Sequence, residues 1–348
     1  MKDLEKILIF NVNWLGDVLF STATIRNIRS NYPDAFIACI IPPRAQPVLE
    51  GNIYLDEIII FDEKLKHKNP WQKLQFVNYL RKKKFDKVFL LHRSMSRALI
   101  AWLAGIPQRI GYYTPKRGFL LTQALTAPKV EAVHRIDYYL NIIKGAGLAV
   151  SDRHTDFFVK QEDISVVEDF LVNNSISEDD FIAGLNPGGN WGPKRWPPEN
   201  FAALADKLAD ELKAKIIITG SEKDIDLAED IRQEMRHGAV LACGKLTIKQ
   251  FAVLASILNI FVSADSGPMH IANAVGSRKI FALFGPTDPK LTGPYPAENV
   301  VIIKKDLSCR IPCYKVECPN NLCMKKITPE DVMAEVRRAF KTKNAQIK

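Results

Sequence analysis

The chain contains no run of about 18 consecutive apolar residues, which excludes a conventional membrane-spanning helix. Its start mixes Lys2 and Lys6 with Asp3 and Glu5, and the apolar run 7–10 is too short for a secretory leader, so a cytosolic protein is expected. No G-x-G-x-x-G follows an early strand and no G-x-x-x-x-G-K-[ST] occurs, which removes most support from dehydrogenase and P-loop readings. Short internal repeats and low-complexity tracts are missing as well, and with them solenoid and disordered architectures.

At 348 residues the chain exceeds the length at which one core usually keeps growing, so two domains are expected. A hydrophobic content of 47% beside 25% charged residues places it among packed globular proteins. Lys and Arg number 48 against 39 Asp and Glu, and the formal charge of +9 favours phosphates, nucleic acid or an acidic membrane face without choosing among them. Two basic runs, Lys64, Lys66, Lys68 and Arg81, Lys82, Lys83, Lys84, suit an acceptor or a membrane surface, or equally a solvated helix face.

Short β-rich runs at 7–10, 36–41, 57–61 and 87–91 alternate with amphipathic stretches at 18–30, 71–83 and 94–104, the order of a parallel sheet covered by helices. After a helical stretch at 135–144, residues 145–156 lose periodicity and gather Gly, Ser and Asp, which marks a linker. The alternation restarts with strands at 181–185, 215–219, 260–263 and 280–284 and helices at 201–212, 225–235 and 248–258. A last helix is signposted by Thr328 as N-cap, Pro329 at the first position and Asp331 at the third. The expected division is a Rossmann-like domain over 1–155, a second over 156–327, and a helix with tail over 328–348 that packs back towards the first.

In open parallel sheets, ligands collect beyond the carboxyl ends of the strands. The first strand runs into Gly16-Asp17-Val18, where Asp17 can act as a general base or cap the following helix. The loop 186–197 brings Gly189, Asn190, Lys194 and Arg195 between a strand and a helix, the strongest local phosphate signal in the chain. Asp265-Ser266-Gly267-Pro268-Met269-His270 follows another buried strand, with amides suited to a diphosphate, and His270 reads as a phosphate donor or a core histidine. Thr287 and Asp288 can meet donor hydroxyls, and Glu222 can accept from a ribose. Asp224 and Asp226 resemble a metal pair, but first-turn charge explains them better.

Four elements, Gly16-Asp17-Val18, Lys194-Arg195-Trp196-Pro197, Asp265-Ser266-Gly267-Pro268-Met269-His270 and Gly285-Pro286-Thr287-Asp288-Pro289, resemble those of the ADP-heptose:lipopolysaccharide heptosyltransferases, and the resemblance covers most of the chain. It implies an α/β GT-B fold of two doubly wound Rossmann-like domains facing across a cleft. It also implies inverting transfer of heptose from ADP-heptose to a Kdo or heptose acceptor of the lipopolysaccharide inner core. Asp17 matches the general base, Lys194 and Asp265 match donor-holding residues, and the amides around Ser266 and Gly267 match the diphosphate site. The acceptor is implied to lie on the first domain, where Arg44, Arg93, Arg97, Arg109 and Arg117 are candidates on charge alone. No cofactor or metal is expected in catalysis, no nucleic acid as partner, and contact is expected with the anionic inner face of the cytoplasmic membrane. Competing readings are transfer of another nucleotide sugar to a surface glycan and a non-catalytic nucleotide-sugar-binding protein.

Of six cysteines, Cys39 and Cys243 stand alone, whereas Cys309, Cys313, Cys318 and Cys323 form C-x3-C-x4-C-x4-C. Four thiolates can hold a structural zinc or iron–sulfur group, but the spacing lacks a C-x2-C pair, and reduced thiols packing a loop are the alternative.

Overall fold

The computed structural model describes residues 4–313, 315 and 317–344, and the tail 345–348 of the expected last segment lies outside them. The chain divides into two compact units, Met1–Phe158 and Val159–Lys348.

The first unit is built on six strands: β1 (Lys6–Phe10), β2 (Phe36–Ile41), β3 (Glu57–Ile60), β4 (Lys87–Leu90), β5 (Gln108–Tyr112) and β6 (Gln123–Leu125). They pair in parallel in the order β3-β2-β1-β4-β5-β6, with Ile7 opposite Ile37 and Lys87. Ile7, Leu8 and Ile9 are fully buried. An inner strand covered on both faces reads as a continuous apolar run, which is why β1 is visible in the sequence. The polar β5 and the three-residue β6 are not.

The second unit repeats the plan with β7 (Ile182–Asn186), β8 (Lys215–Ile218), β9 (Ala239–Leu241), β10 (Ile260–Ala264), β11 (Ile280–Phe284) and β12 (Val300–Lys304). Their order is β12-β11-β10-β7-β8-β9, again all parallel. Renumbered from its own first strand, this is the same 3-2-1-4-5-6 order, the doubly wound Rossmann arrangement. Each sheet therefore has a switch point between its first and fourth strands, β1 and β4 in one unit and β7 and β10 in the other.

Residues 148–160 have no regular structure. They are held to the Leu15–Asn31 helix where Arg26 pairs with Asp156 at 2.6 Å and Asn27 accepts from the Ser151 amide at 2.7 Å. The last helix, Pro329–Asn344, has the expected cap, with the Thr328 amide donating to Asp331 at 2.7 Å and the Asp331 amide donating back to the Thr328 hydroxyl at 3.2 Å. Val332, Met333 and Val336 of this helix are buried in the core of the second unit, and the helix packs on the Pro198–Leu212 helix. Apolar residues buried this fully contribute about 1.5–3 kcal/mol each, enough to commit the helix to that unit. Among the described residues no helix is long and apolar enough to cross a membrane.

Candidate active site

In the first unit the loop after β1 leads into the Leu15–Asn31 helix at the switch point, with Asp17 in the first turn. Asp17 is half-buried and does not act as a side-chain cap. Its Oδ1 accepts instead from the Tyr139 hydroxyl at 2.7 Å. Tyr139 is buried on the Arg135–Gly145 helix, which packs along the helix bearing Asp17. Burial first, and then the charge of Asp17, push the phenol well above its ordinary pKa, so it remains a donor at neutral pH. Oδ2 has no protein hydrogen bond among the described residues and keeps its lone pairs for a ligand proton. Sequence reasoning missed Tyr139, although a phenol on the apolar face of a helix needs a polar partner, and that was a usable signal.

The five arginines separate into two groups. Arg97, on the Met95–Leu103 helix, is buried and donates to the Asn11 carbonyl and the Asn13 side chain, bracing the loop that carries Asp17. Burial pulls its pKa down to about 10 against the charge of Glu63, 3.7 Å away, so it stays protonated at neutral pH. Arg117 is 0% exposed and donates to the carbonyls of Tyr112 at 2.7 Å and His92 at 2.6 Å. Arg109 donates to the Leu120 carbonyl at 2.7 Å. The guanidinium groups of these three serve protein acceptors, mostly backbone carbonyls, which gives each a structural role. Arg93 and Arg44 are exposed, and Arg44 lies 4.4 Å over the ring of Trp14, itself exposed beside Asp17.

In the second unit the loops after β7 and β10 flank the switch point. Lys194 closes the Gly192–Lys194 turn, and its Nζ donates to Asp265 Oδ2 at 2.7 Å and to the Asp265 carbonyl at 3.1 Å. The Thr292 hydroxyl donates to the same Oδ2 at 3.2 Å, and His270 Nε2 stands 3.5 Å from Oδ1. Asp265 is 4% exposed. Burial works to raise its carboxyl, but the His270 hydrogen bond and the Lys194 charge override it and hold the group well below the usual carboxylate range. The pair joins the two loops, and an ammonium with three donors retains one for a ligand.

Ser266 precedes the Gly267–Ala274 helix without capping it through its side chain, so the first-turn amides stay open to an anion. Asn190 is exposed, and a Cβ at Gly189 would meet only Arg195, 4.0 Å away, leaving room for close approach to the backbone. Gly188 differs: a Cβ there would sit 2.6 Å from the Asp224 carboxylate. Asp224 accepts from the Ser221 amide at 2.9 Å, which makes it a cap and agrees with the first-turn reading. Glu222 is exposed at the carboxyl end of β8. Asp288 caps its own turn by accepting from the Lys290 amide at 3.0 Å, and the Thr287 hydroxyl is buried with no protein hydrogen-bond partner among the described residues.

The cysteine segment lies against these loops. The Cys313 amide donates to the Pro286 carbonyl at 2.7 Å, and the Asn321 amide donates to Cys318 Sγ at 3.4 Å. A Cβ at Gly285 would sit 2.5 Å from Met324 Sδ and 3.1 Å from Cys323 Sγ, and Met324 is fully buried, so the position favours glycine. All four cysteines are unbridged, and among the described residues no group of three suitable side chains is gathered for a metal ion. Nothing among the described residues supports the zinc or iron–sulfur expectation; Cys309 is exposed and the other three thiols are partly buried. With Gly192 and Pro193, residues 317–319 and Asn321 of the segment line an open cavity of about 510 Å³, within the range of small-molecule sites.

The sequence pattern of Glycosyltransferase family 9 (heptosyltransferase) matches residues 73–323. A lipopolysaccharide heptosyltransferase 2 of Salmonella typhimurium is 29% identical over 85% of this chain and 87% of its own. The crystal structure of a family 9 glycosyl transferase from Veillonella parvula superposes with a TM-score of 0.87 at 25% identity, covering 97% of this chain and 98% of that one. The ADP-heptose heptosyltransferase II of E. coli does so with a TM-score of 0.80 at 25% identity, covering 97% and 99%. With two Rossmann units and most of its length matched, the chain belongs to glycosyltransferase family 9, the heptosyltransferase family.

Proposed function

We propose that the protein transfers heptose from ADP-heptose to a Kdo or heptose residue of the lipopolysaccharide inner core, with inversion at the anomeric carbon. The observation that carries this reading is the pair of switch-point carboxylates in opposite settings: Asp17 on a neutral phenol with one oxygen free, and Asp265 locked to a lysine. The names of the relatives in Salmonella and E. coli support the donor and the acceptor.

Lys194, the amides at Ser266 and Gly267, and the exposed Asn190 and Gly189 hold the diphosphate, while Glu222 meets the ribose. The acceptor hydroxyl attacks the anomeric carbon opposite ADP, its proton passes to Asp17 Oδ2, and the glycosidic C–O bond to the diphosphate breaks. Negative charge then develops on the departing ADP, where Lys194 and the helix N-terminus stabilise it. Arg44 and Arg93 bind the anionic acceptor. The residues so assigned supply proton transfer and charge stabilisation without a cofactor, and the protein works at the cytoplasmic face of the inner membrane. ADP release from ADP-heptose, measured with and without heptose-deficient lipopolysaccharide, tests this. Acceptor-dependent release with a heptose mass gain is expected; donor binding without turnover would overturn it in favour of a binding protein.

A further inference from the structure

The loop after β3 has a composition and a stiffness that the transfer reaction does not explain. Leu65 is 78% exposed and Trp71 67% exposed, and Leu74 is exposed one turn beyond Trp71 on the Pro70–Lys83 helix. Lys64, Lys66 and Lys68 are interleaved with them, all exposed, and none has an ion-pair partner among the described residues. Large apolar side chains at this exposure, ringed by cations, are disfavoured on a free surface.

The exposure is built in. His67, between the lysines, points inward: its ring stacks on Phe61 at 5.0 Å and meets Phe76 at 4.8 Å, and its Nδ1 accepts from the Asp62 amide at 3.0 Å. Asp62 Oδ1 accepts from the amides of Lys64 and Leu65 at 3.0 and 3.1 Å. A capping box between Asn69 and Gln72, with Pro70 at the first helical position, fixes the start of the helix and places Trp71 on its rim. With His67 as the inward anchor, its neighbours Leu65, Lys66 and Lys68 are left outside.

The position matches as well. In a parallel sheet the loop after β3 emerges at the same carboxyl edge as the loop after β1. Arg97 joins the two, contacting Glu63 on one side and the Asn11–Asn13 backbone and side chain on the other. The basic, aromatic loop and Asp17 are thus braced by one buried guanidinium.

We propose that residues 61–74 dock the protein on an anionic phospholipid bilayer, with Trp71 and Leu65 entering the headgroup region and Lys64, Lys66 and Lys68 pairing with lipid phosphates. The proposal rests on the reading that the acceptor is a lipid-anchored glycan, and it adds the element that brings the Asp17 edge to the membrane plane. Trp at an interface with flanking lysines satisfies both the apolar ring and the charges.

The test is co-sedimentation of the full chain with vesicles of phosphatidylethanolamine and phosphatidylglycerol, and with vesicles of phosphatidylcholine alone. Binding to the anionic vesicles that weakens with salt is expected. Replacing Lys64, Lys66 and Lys68 together by Gln should weaken it about a hundredfold, and Trp71→Ala about tenfold. All these variants should keep wild-type ADP release with a water-soluble acceptor fragment, which separates failure of docking from failure of the transferase reading. Wild-type vesicle binding by the variants overturns the proposal. So does a wild-type protein that ignores anionic vesicles, or one whose dimerisation without lipid is abolished by Trp71→Ala, which would assign the patch to a second copy of the chain.

Discussion

Replacing Asp17 by Asn tests the first half of the site with little disturbance to the fold. The amide oxygen can still accept from Tyr139, so the 2.7 Å contact survives, while the atom at the Oδ2 position can no longer take a proton. General-base catalysis contributes about 10²–10⁴-fold, or roughly 3–5 kcal/mol of barrier, and a loss of that size in kcat is expected with donor affinity unchanged. Tyr139→Phe removes the hydrogen bond and leaves the base. A bond to a charged group is worth about 1.5–3 kcal/mol, but Asp17 is half-buried and water can replace the phenol. Roughly tenfold in kcat is therefore expected.

The double variant decides between positioning and packing. If Tyr139 acts by holding the carboxylate, Tyr139→Phe should cost almost nothing once Asp17 is Asn, because the two changes remove one function. Transfer followed by ADP release and product mass, with isothermal titration of donor, supplies the numbers. Turnover within about threefold of wild type for Asp17→Asn would remove it as the base. A tenfold loss on Tyr139→Phe in both backgrounds would make the tyrosine a packing residue.

Lys194→Ala strips the charged partner from the buried Asp265 and is expected to weaken ADP binding by at least about tenfold and to cost about 2 kcal/mol of stability in urea unfolding. Because the folded Asp265 carboxyl is held below the range of an unfolded one, about 3.9, its contribution is complete above that pH and is lost as pH falls through the lower folded value. Wild-type stability should therefore fall more steeply than that of Asp265→Asn on acidification below about pH 4, as read from urea midpoints. Arg117→Ala, which orphans carbonyls around a fully buried side chain, should cost about 3 kcal/mol or more, whereas Arg93→Ala should change stability by less than about 0.5 kcal/mol and raise the acceptor KM. On the reading that the four cysteines are reduced thiols, prolonged chelation should leave the thermal midpoint and the transfer rate unchanged; a drop in either would point to a metal site.

The parts of this protein legible in its sequence are those governed by local rules. The inner strands β1, β7 and β10 are runs of buried residues, and the loops behind them are where a parallel sheet collects ligands. Asp17, Lys194 and Asp265 are legible for that reason. The outer strands are harder: β5 begins with Gln108 and Arg109, half out of the core, and β9 is only Ala239–Leu241, too short to show a period. What cannot be read is pairing across distance. Tyr139 lies 122 positions from Asp17, and the charge of Arg97 or Arg117 says nothing about whether its guanidinium faces solvent or backbone carbonyls.

That limit bears on mechanism, because a carboxylate's role is set by partners the sequence does not show. Both aspartates follow buried strands, and by position alone either could serve as base. Asp265 is met by the Lys194 ammonium, the Thr292 hydroxyl and His270, and is held so far below the usual range that it accepts hydrogen bonds and not protons. Asp17 is met by one neutral phenol on one oxygen, which fixes its direction and leaves the other oxygen's lone pairs open. Environments that differ this much give two carboxylates different chemistry, and the proposed function accordingly puts the base on the first unit and the anion-binding lysine on the second. Exchanging the settings should exchange the losses: weakening the lysine pair should first appear as donor affinity, and weakening the phenol contact as kcat.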